Sequence, residues 1–145
     1  PDIISTHEFD LPGPALLVDD EVEFVLTLSE RLEMRDLPSE VVYNGEEALA
    51  YLEQRRPDVM VLDLRMPGMG GMDVLRQVKG DHPEVEVIVL TGHGGDEEKA
   101  EALSLGAFAF MRKPVAIQEL AETMERARAA ARRLADDGTA GEQGP

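Results

Sequence analysis

The chain has 145 residues, enough for one domain with a single substantial core and too few for two. Its 30 acidic and 14 basic residues give a formal net charge of −16, which argues against direct nucleic-acid binding by this segment, because a nucleic-acid footprint needs a basic face. It has no cysteine, so disulfides and thiol catalysis are excluded; apolar runs such as VMVL and VIVL are far too short to span a membrane, and no signal-peptide pattern opens the chain. A soluble, cytoplasmic protein is the expectation.

Residues 1–13, PDIISTHEFDLPG, carry two prolines and no sustained period, and are expected to form a flexible N-terminal tail. The first apolar run, ALLV at 15–18, predicts a strand that ends on Asp19-Asp20, and a helix is expected over 21–35. Pro38 marks the exit from that helix and EVVY at 40–43 predicts the second strand. Asn44 offers an N-cap for a helix over 45–55, and Pro57 stands beyond its end. DVMVL at 58–62 predicts the third strand, which ends on Asp63 and breaks at once into LRMPGMGG before a helix over 71–80. EVIVL at 86–90 then leads to Thr91 and a Gly-rich loop, with a helix over 95–105. AFAFM at 107–111 predicts a fifth strand leading to Lys113-Pro114, and a last helix is expected over 115–134. The closing DDGTAGEQGP is polar and Gly-rich, so 135–145 is expected to be a flexible linker or tail, leaving 14–134 as the domain.

Five apolar strands alternating with five helices predict a parallel sheet covered on both faces, a doubly wound α/β domain. In such sheets ligands collect beyond the carboxyl ends of the strands. Those ends carry Asp19 and Asp20, Asp63, Thr91 and Lys113, whereas the second strand ends only in Tyr43-Asn44, as suits an edge strand. Asp20 has an ordinary explanation as a helix cap, but capping accounts for one Asp of the pair, and Asp63 stands too far before its helix to cap it. Thr91 alone reads as a turn residue, and Lys113 alone as a surface cation before a proline at a favoured helix position. Their joint placement at four strand ends is what singles them out.

Three converging carboxylates repel one another and raise one another's pKa, an arrangement that persists when a cation sits between them. Hard oxygen donors suit Mg²⁺, which usually takes one or two carboxylates and a phosphate oxygen. With Thr91 and Lys113 nearby, the cluster is laid out for a phosphoryl group, and a carboxylate there can act as nucleophile to form an acyl phosphate.

The motifs LLVDDE (16–21), VLDLRMPGMGGMDVL (61–75), VIVLTGHG (87–94) and GAFAFMRKP (106–114) resemble, in type, order and spacing, those of the receiver domain of bacterial two-component response regulators, the CheY-like family. The resemblance covers nearly all of residues 14–134. It implies a flavodoxin-like sheet of strand order 2-1-3-4-5, with Asp63 as phosphoacceptor. Asp19, Asp20 and Asp63 would hold Mg²⁺, with the backbone carbonyl of Arg65 as a further ligand. Thr91 would bond the phosphoryl group, Lys113 would pair with it, and the Lys113-Pro114 bond would be cis. Phe110, three before the lysine, takes the place of the family's aromatic switch and lacks the hydroxyl of its usual tyrosine. Arg65 and His93, two after Asp63 and two after Thr91, stand where the family tunes the lifetime of the acyl phosphate. For Phe110 a plain core aromatic, and for Arg65 and His93 solvated loop side chains, are the competing structural readings.

The implied function is a switch rather than an enzyme, with at most self-catalysed phosphotransfer and autodephosphorylation. A phosphohistidine on a sensor histidine kinase or phosphotransfer protein would supply Asp63. The surface of helix four, strand five and helix five would then change to regulate an output domain or a partner, or to form a homodimer. The competing functions are a Mg²⁺-dependent haloacid-dehalogenase-like phosphatase, which wants an acid where this chain has Arg65, and a receiver-like interaction domain that is no longer phosphorylated. LTGHG and GAFAFMRKP look most like receivers joined to ATPase-type transcription activators or sensor kinases. The last helix places Ile117, Leu120, Met124, Ala127, Ala131 and Leu134 at core-facing spacing. Arg126, Arg128, Arg132 and Arg133 follow near its end, where cations suit the helix dipole. A connector or dimer helix is the alternative. The methionines, including Met66, Met69 and Met72, are expected to be packing residues, and His7, His82 and His93 make no metal-ligand spacing.

Overall fold

The computed structural model describes residues 13–143, with side chains through 134; of the expected tail at 1–13, residues 1–12 lie outside the described residues. Five strands alternate with five helices: β1 (Ala15–Val18), α1 (Val22–Glu33), β2 (Ser39–Val42), α2 (Gly45–Gln54), β3 (Val59–Leu62), α3 (Gly71–Asp81), β4 (Glu86–Thr91), α4 (Asp96–Ser104), β5 (Ala109–Arg112) and α5 (Ile117–Gln143). The strands form one sheet in the order β2-β1-β3-β4-β5, with every pairing parallel. This is the doubly wound parallel sheet expected from the apolar pattern, in the flavodoxin-like strand order that the family resemblance implies.

The apolar runs do not alternate because both faces of the sheet are buried, and successive side chains go to opposite cores. Leu16, Val18, Met60, Leu62, Val87 and Val89 pack with Ala48, Leu52, Val74, Leu75, Val78 and Ala102 from α2, α3 and α4. Leu17, Val59, Val61, Ile88 and Leu90 pack with Val25, Leu28 and Leu32 of α1 and Leu120, Met124 and Ala127 of α5. The edge strands β2 and β5 are less buried, in keeping with their fewer neighbours.

Several boundaries differ from the expected ones for local reasons. Helix α1 ends at Glu33 rather than 35 because Asp36 adopts φ 62°, a left-handed conformation that aspartate tolerates, and Leu37 N–H then bonds the Leu32 carbonyl. Strand β5 begins at Ala109, two residues later than the apolar pattern suggested. Asn44 caps α2 as expected, accepting the Glu47 N–H at 2.8 Å, while Glu47 accepts the Tyr43 N–H at 2.9 Å. The largest difference is at the end: the α5 backbone stays helical through 135–143, where composition predicts a linker. Once a helix is nucleated on a packed face, each further residue adds a hydrogen bond, which offsets the weak propensity of Gly138 and Gly141. Along that helix Leu120, Met124, Ala127 and Ala131 are buried, but Leu134 is 48% exposed, so the predicted apolar stripe leaves the core before its last member. No helix among the described residues is long and apolar enough to cross a membrane.

Candidate functional site at the carboxyl edge of the sheet

Register alone brings the key carboxylates together. β1 and β3 pair Leu16 with Met60 and Val18 with Leu62, and the Asp63 N–H bonds the Val18 carbonyl at 3.0 Å. Asp19 and Asp63 therefore leave the sheet side by side on adjacent strands, about 4.8 Å apart in the hydrogen-bonding direction. Both are buried, at 5% and 4% exposure, whereas Asp20 is more open. Ligand oxygens of Asp19, Asp20 and Asp63 all lie within 4.8 Å of one another.

Asp63 owes its position to the break that follows it. The Gly71 N–H at the start of α3 bonds the Leu64 carbonyl at 2.9 Å, folding the loop back on the strand end. A Cβ on Gly71 would lie 2.2 Å from the Asp63 carbonyl oxygen and 2.6 Å from Leu64 Cα, so only glycine permits this approach. Within the loop Gly68 takes φ 78°, while Met66 is buried and Met69 and Met72 pack partly against the core, as expected of packing methionines.

Burial pushes the Asp63 carboxyl above its ordinary value, and the neighbouring Asp19 charge adds to the rise. The Lys113 charge, the Thr91 hydroxyl and the Arg65 N–H act in the opposite direction. Asp63 Oδ1 has no hydrogen-bond partner among the described residues, a rare state for a buried carboxylate oxygen. A buried, unpartnered oxygen beside two more carboxylates is a donor set that fits a small hard cation.

Lys113 comes from the end of β5, where its N–H bonds the Thr91 carbonyl at 2.9 Å and its peptide bond to Pro114 is cis. Its ammonium donates to Asp19 Oδ2 at 2.8 Å and to Glu21 Oε1 at 2.7 Å, and stands 4.0 Å from Asp63 Oδ2. Burial works against its charge, but the two carboxylate bonds outweigh that and hold it above the ordinary lysine value. Thr91 is fully buried, and its hydroxyl accepts the His93 N–H at 3.2 Å.

The structure thus gathers Asp19, Asp20, Asp63, Thr91 and Lys113 at one edge. Arg65 and His93 are exposed on the rim. Phe110 is half-buried and lies farther along β5, its ring 5.4 Å from the Arg112 guanidinium carbon. A Cβ on Gly94 would come 3.5 Å from the edge of that ring, so the β4–α4 loop and Phe110 are in close register. Sequence reasoning missed two residues: Glu21, which binds Lys113, and Phe24, whose ring centroid is 4.3 Å from the Lys113 ammonium. The signal for Glu21 was present as a third consecutive acid in VDDE but was absorbed into the start of a helix. Phe24 sits three residues on, on the same helical face.

Comparison with known proteins agrees with this architecture. The family model of the response regulator receiver domain matches residues 15–125. The DNA-binding transcriptional regulator NtrC of Salmonella typhimurium is 37% identical over 115 residues, covering 79% of this chain and 24% of the relative. The regulatory protein LuxO of Vibrio vulnificus is 40% identical over 97 residues, covering 67% of this chain and 21% of the relative. The chain thus spans about a quarter of the length of these curated relatives. Among solved structures, a response regulator receiver domain protein from Clostridium thermocellum superposes with a TM-score of 0.78 at 32% identity, covering 84% of this chain and 98% of that one. The chain belongs to the response regulator receiver domain family, the signalling domains of two-component systems.

Proposed function

We propose that Asp63 accepts a phosphoryl group and that the domain, spanning about 14–134, works as a switch. The observation that carries this reading is the buried Asp63 carboxylate, with one oxygen unpartnered, two further carboxylates within 4.8 Å and an ammonium 4.0 Å away. An Asp63 oxygen attacks phosphorus, the bond from phosphorus to a partner's histidine nitrogen breaks, and the imidazole leaves with its electron pair and takes up a proton. Asp19, Asp20, Asp63 and the Arg65 carbonyl would hold Mg²⁺, which when bound neutralises charge on the transferring oxygens. Lys113 pairs with the phosphoryl group, and the Thr91 hydroxyl turns from its His93 contact to bond it. Phe110, at the loop that Thr91 opens, carries the change to α4, β5 and α5.

Arg65 and His93, exposed beside the two strand ends, set how readily water reaches the acyl phosphate. The phosphoryl donor is a sensor histidine kinase or phosphotransfer protein in the cytoplasm. The altered α4-β5-α5 surface serves an output domain, a partner or a second copy, and the net charge of −16 keeps this segment itself off nucleic acid. Dephosphorylation is self-catalysed. A dehalogenase-like phosphatase is disfavoured because the residue two after Asp63 is the exposed Arg65. The test is incubation with acetyl phosphate and Mg²⁺ followed by intact-mass measurement: the wild type gains one phosphoryl group, and Asp63→Asn gains none. Equal labelling of the two, or none of the wild type, refutes the proposal.

A further inference from the structure

Lys113 has three carboxylates within reach and bonds only two. Its ammonium donates to Asp19 at 2.8 Å and Glu21 at 2.7 Å, but the 4.0 Å to Asp63 is beyond hydrogen-bond range. Glu21 and Phe24 approach it together from the first turn of α1, the carboxylate from one side and the ring from 4.3 Å. Among the described residues no side chain other than Lys113 hydrogen-bonds or ion-pairs with the Glu21 carboxylate. Its side chain is 62% exposed, and although it occupies the N-cap position of α1 it makes no side-chain cap bond. The Lys113 contact in turn holds the Glu21 carboxyl below its ordinary value.

The geometry points to Glu21, backed by the Phe24 ring, as a positioning residue that holds the Lys113 ammonium off Asp63 and competes for it with any anionic group that Asp63 accepts. The inference rests on the phosphoacceptor reading and adds a restraint to it. Two of the three ammonium donors go to Asp19 and Glu21, so an anion on Asp63 shares a cation that Glu21 already helps to neutralise and holds 4.0 Å away; Glu21 thereby weakens the domain's hold on that anion and biases the resting domain toward its unmodified state. Because Glu21 is exposed, the competition is modest, on the scale of an exposed ion pair.

Beryllofluoride, which adds to a carboxylate as a phosphoryl mimic, tests this on the full chain with Mg²⁺ present. Fluoride is titrated at fixed beryllium, and the half-saturation point is read by NMR from the Thr91 and Lys113 amides. Glu21→Gln should lower that point by about two- to fivefold, the range open to an exposed pair. Glu23→Gln removes the same charge from the same turn without a hydrogen bond or ion pair to Lys113 and should leave it unchanged. In the absence of beryllofluoride, the Lys113 side-chain ammonium resonance should shift in Glu21→Gln and not in Glu23→Gln. No gain in Glu21→Gln, or the same gain in both variants, overturns the inference while leaving the phosphoacceptor reading intact. A wild type that does not respond to beryllofluoride overturns that reading and this inference with it.

Discussion

Replacing Asp63 with asparagine removes one of three crowded charges while preserving the shape of the side chain, so in metal-free buffer it should stabilise the protein. At an effective dielectric constant of about 20, two carboxylates no more than 4.8 Å apart, as Asp19 and Asp63 are, repel by at least about 3.5 kcal/mol. An ammonium 4.0 Å from Asp63 offsets about 4 kcal/mol of unfavourable energy on the same scale. The Asp19 repulsion and this attraction nearly cancel, and Lys113 is expected to keep its closer bonds to Asp19 and Glu21 in the variant. What remains is the weaker, solvent-screened repulsion from the more open Asp20 and the dehydration of a buried carboxylate, the largest cause of the raised Asp63 pKa. A net gain of about 1–2 kcal/mol is expected, or roughly 3–8 °C in Tm for a domain of this size.

The sign with pH follows from the direction of the shift. A carboxyl whose folded pKa is raised binds its proton more tightly in the folded state, so it penalises folding once both states are ionised. The advantage of Asp63→Asn should therefore be full at neutral pH, shrink as pH falls through the folded pKa, and vanish below about pH 4, near the ordinary aspartate value. The assay is thermal unfolding of both proteins across that range in chelator, then again with Mg²⁺. The cation should stabilise the wild type by about 1.4 kcal/mol at ten times its dissociation constant, raising its Tm, and stabilise the variant less. An Asn variant no more stable than the wild type in chelator, or a wild type indifferent to Mg²⁺, would refute the reasoning.

Two further substitutions probe how the site is built. Gly71→Ala should destabilise by about 3 kcal/mol or more in urea unfolding, because its Cβ would strike backbone at the Asp63 carbonyl rather than a side chain that can move aside; a loss under about 1 kcal/mol would mean that the loop after β3 tolerates another path. On α5, Leu120→Ala should cost about 2–5 kcal/mol by opening a cavity in a fully buried position, whereas Leu134→Ala should stay within about 0.5 kcal/mol. Comparable losses at the two positions would contradict the exposure of Leu134.

Much of this molecule was readable along the chain. Apolar runs of four to six residues ending on Asp19, Asp63, Thr91 and Lys113 are local patterns, and a parallel sheet necessarily gathers its strand ends along one edge. The sheet, its covering helices and the acidic cluster follow from those patterns because the period of the apolar residues assigns each element its type and faces, and helical crossovers between successive strands make the sheet parallel. The Asn44 cap was legible for the same reason. Contacts between side chains that converge only after folding were not legible. That Lys113 would choose Asp19 and Glu21 over Asp63, with Phe24 beneath it, depends on ångström-scale distances between β5 and α1. That Leu134 would lie outside the core depends on where the sheet ends beneath α5, which helical periodicity cannot measure. Periodicity assigns a residue to a face; only the packed partner decides whether anything lies opposite it.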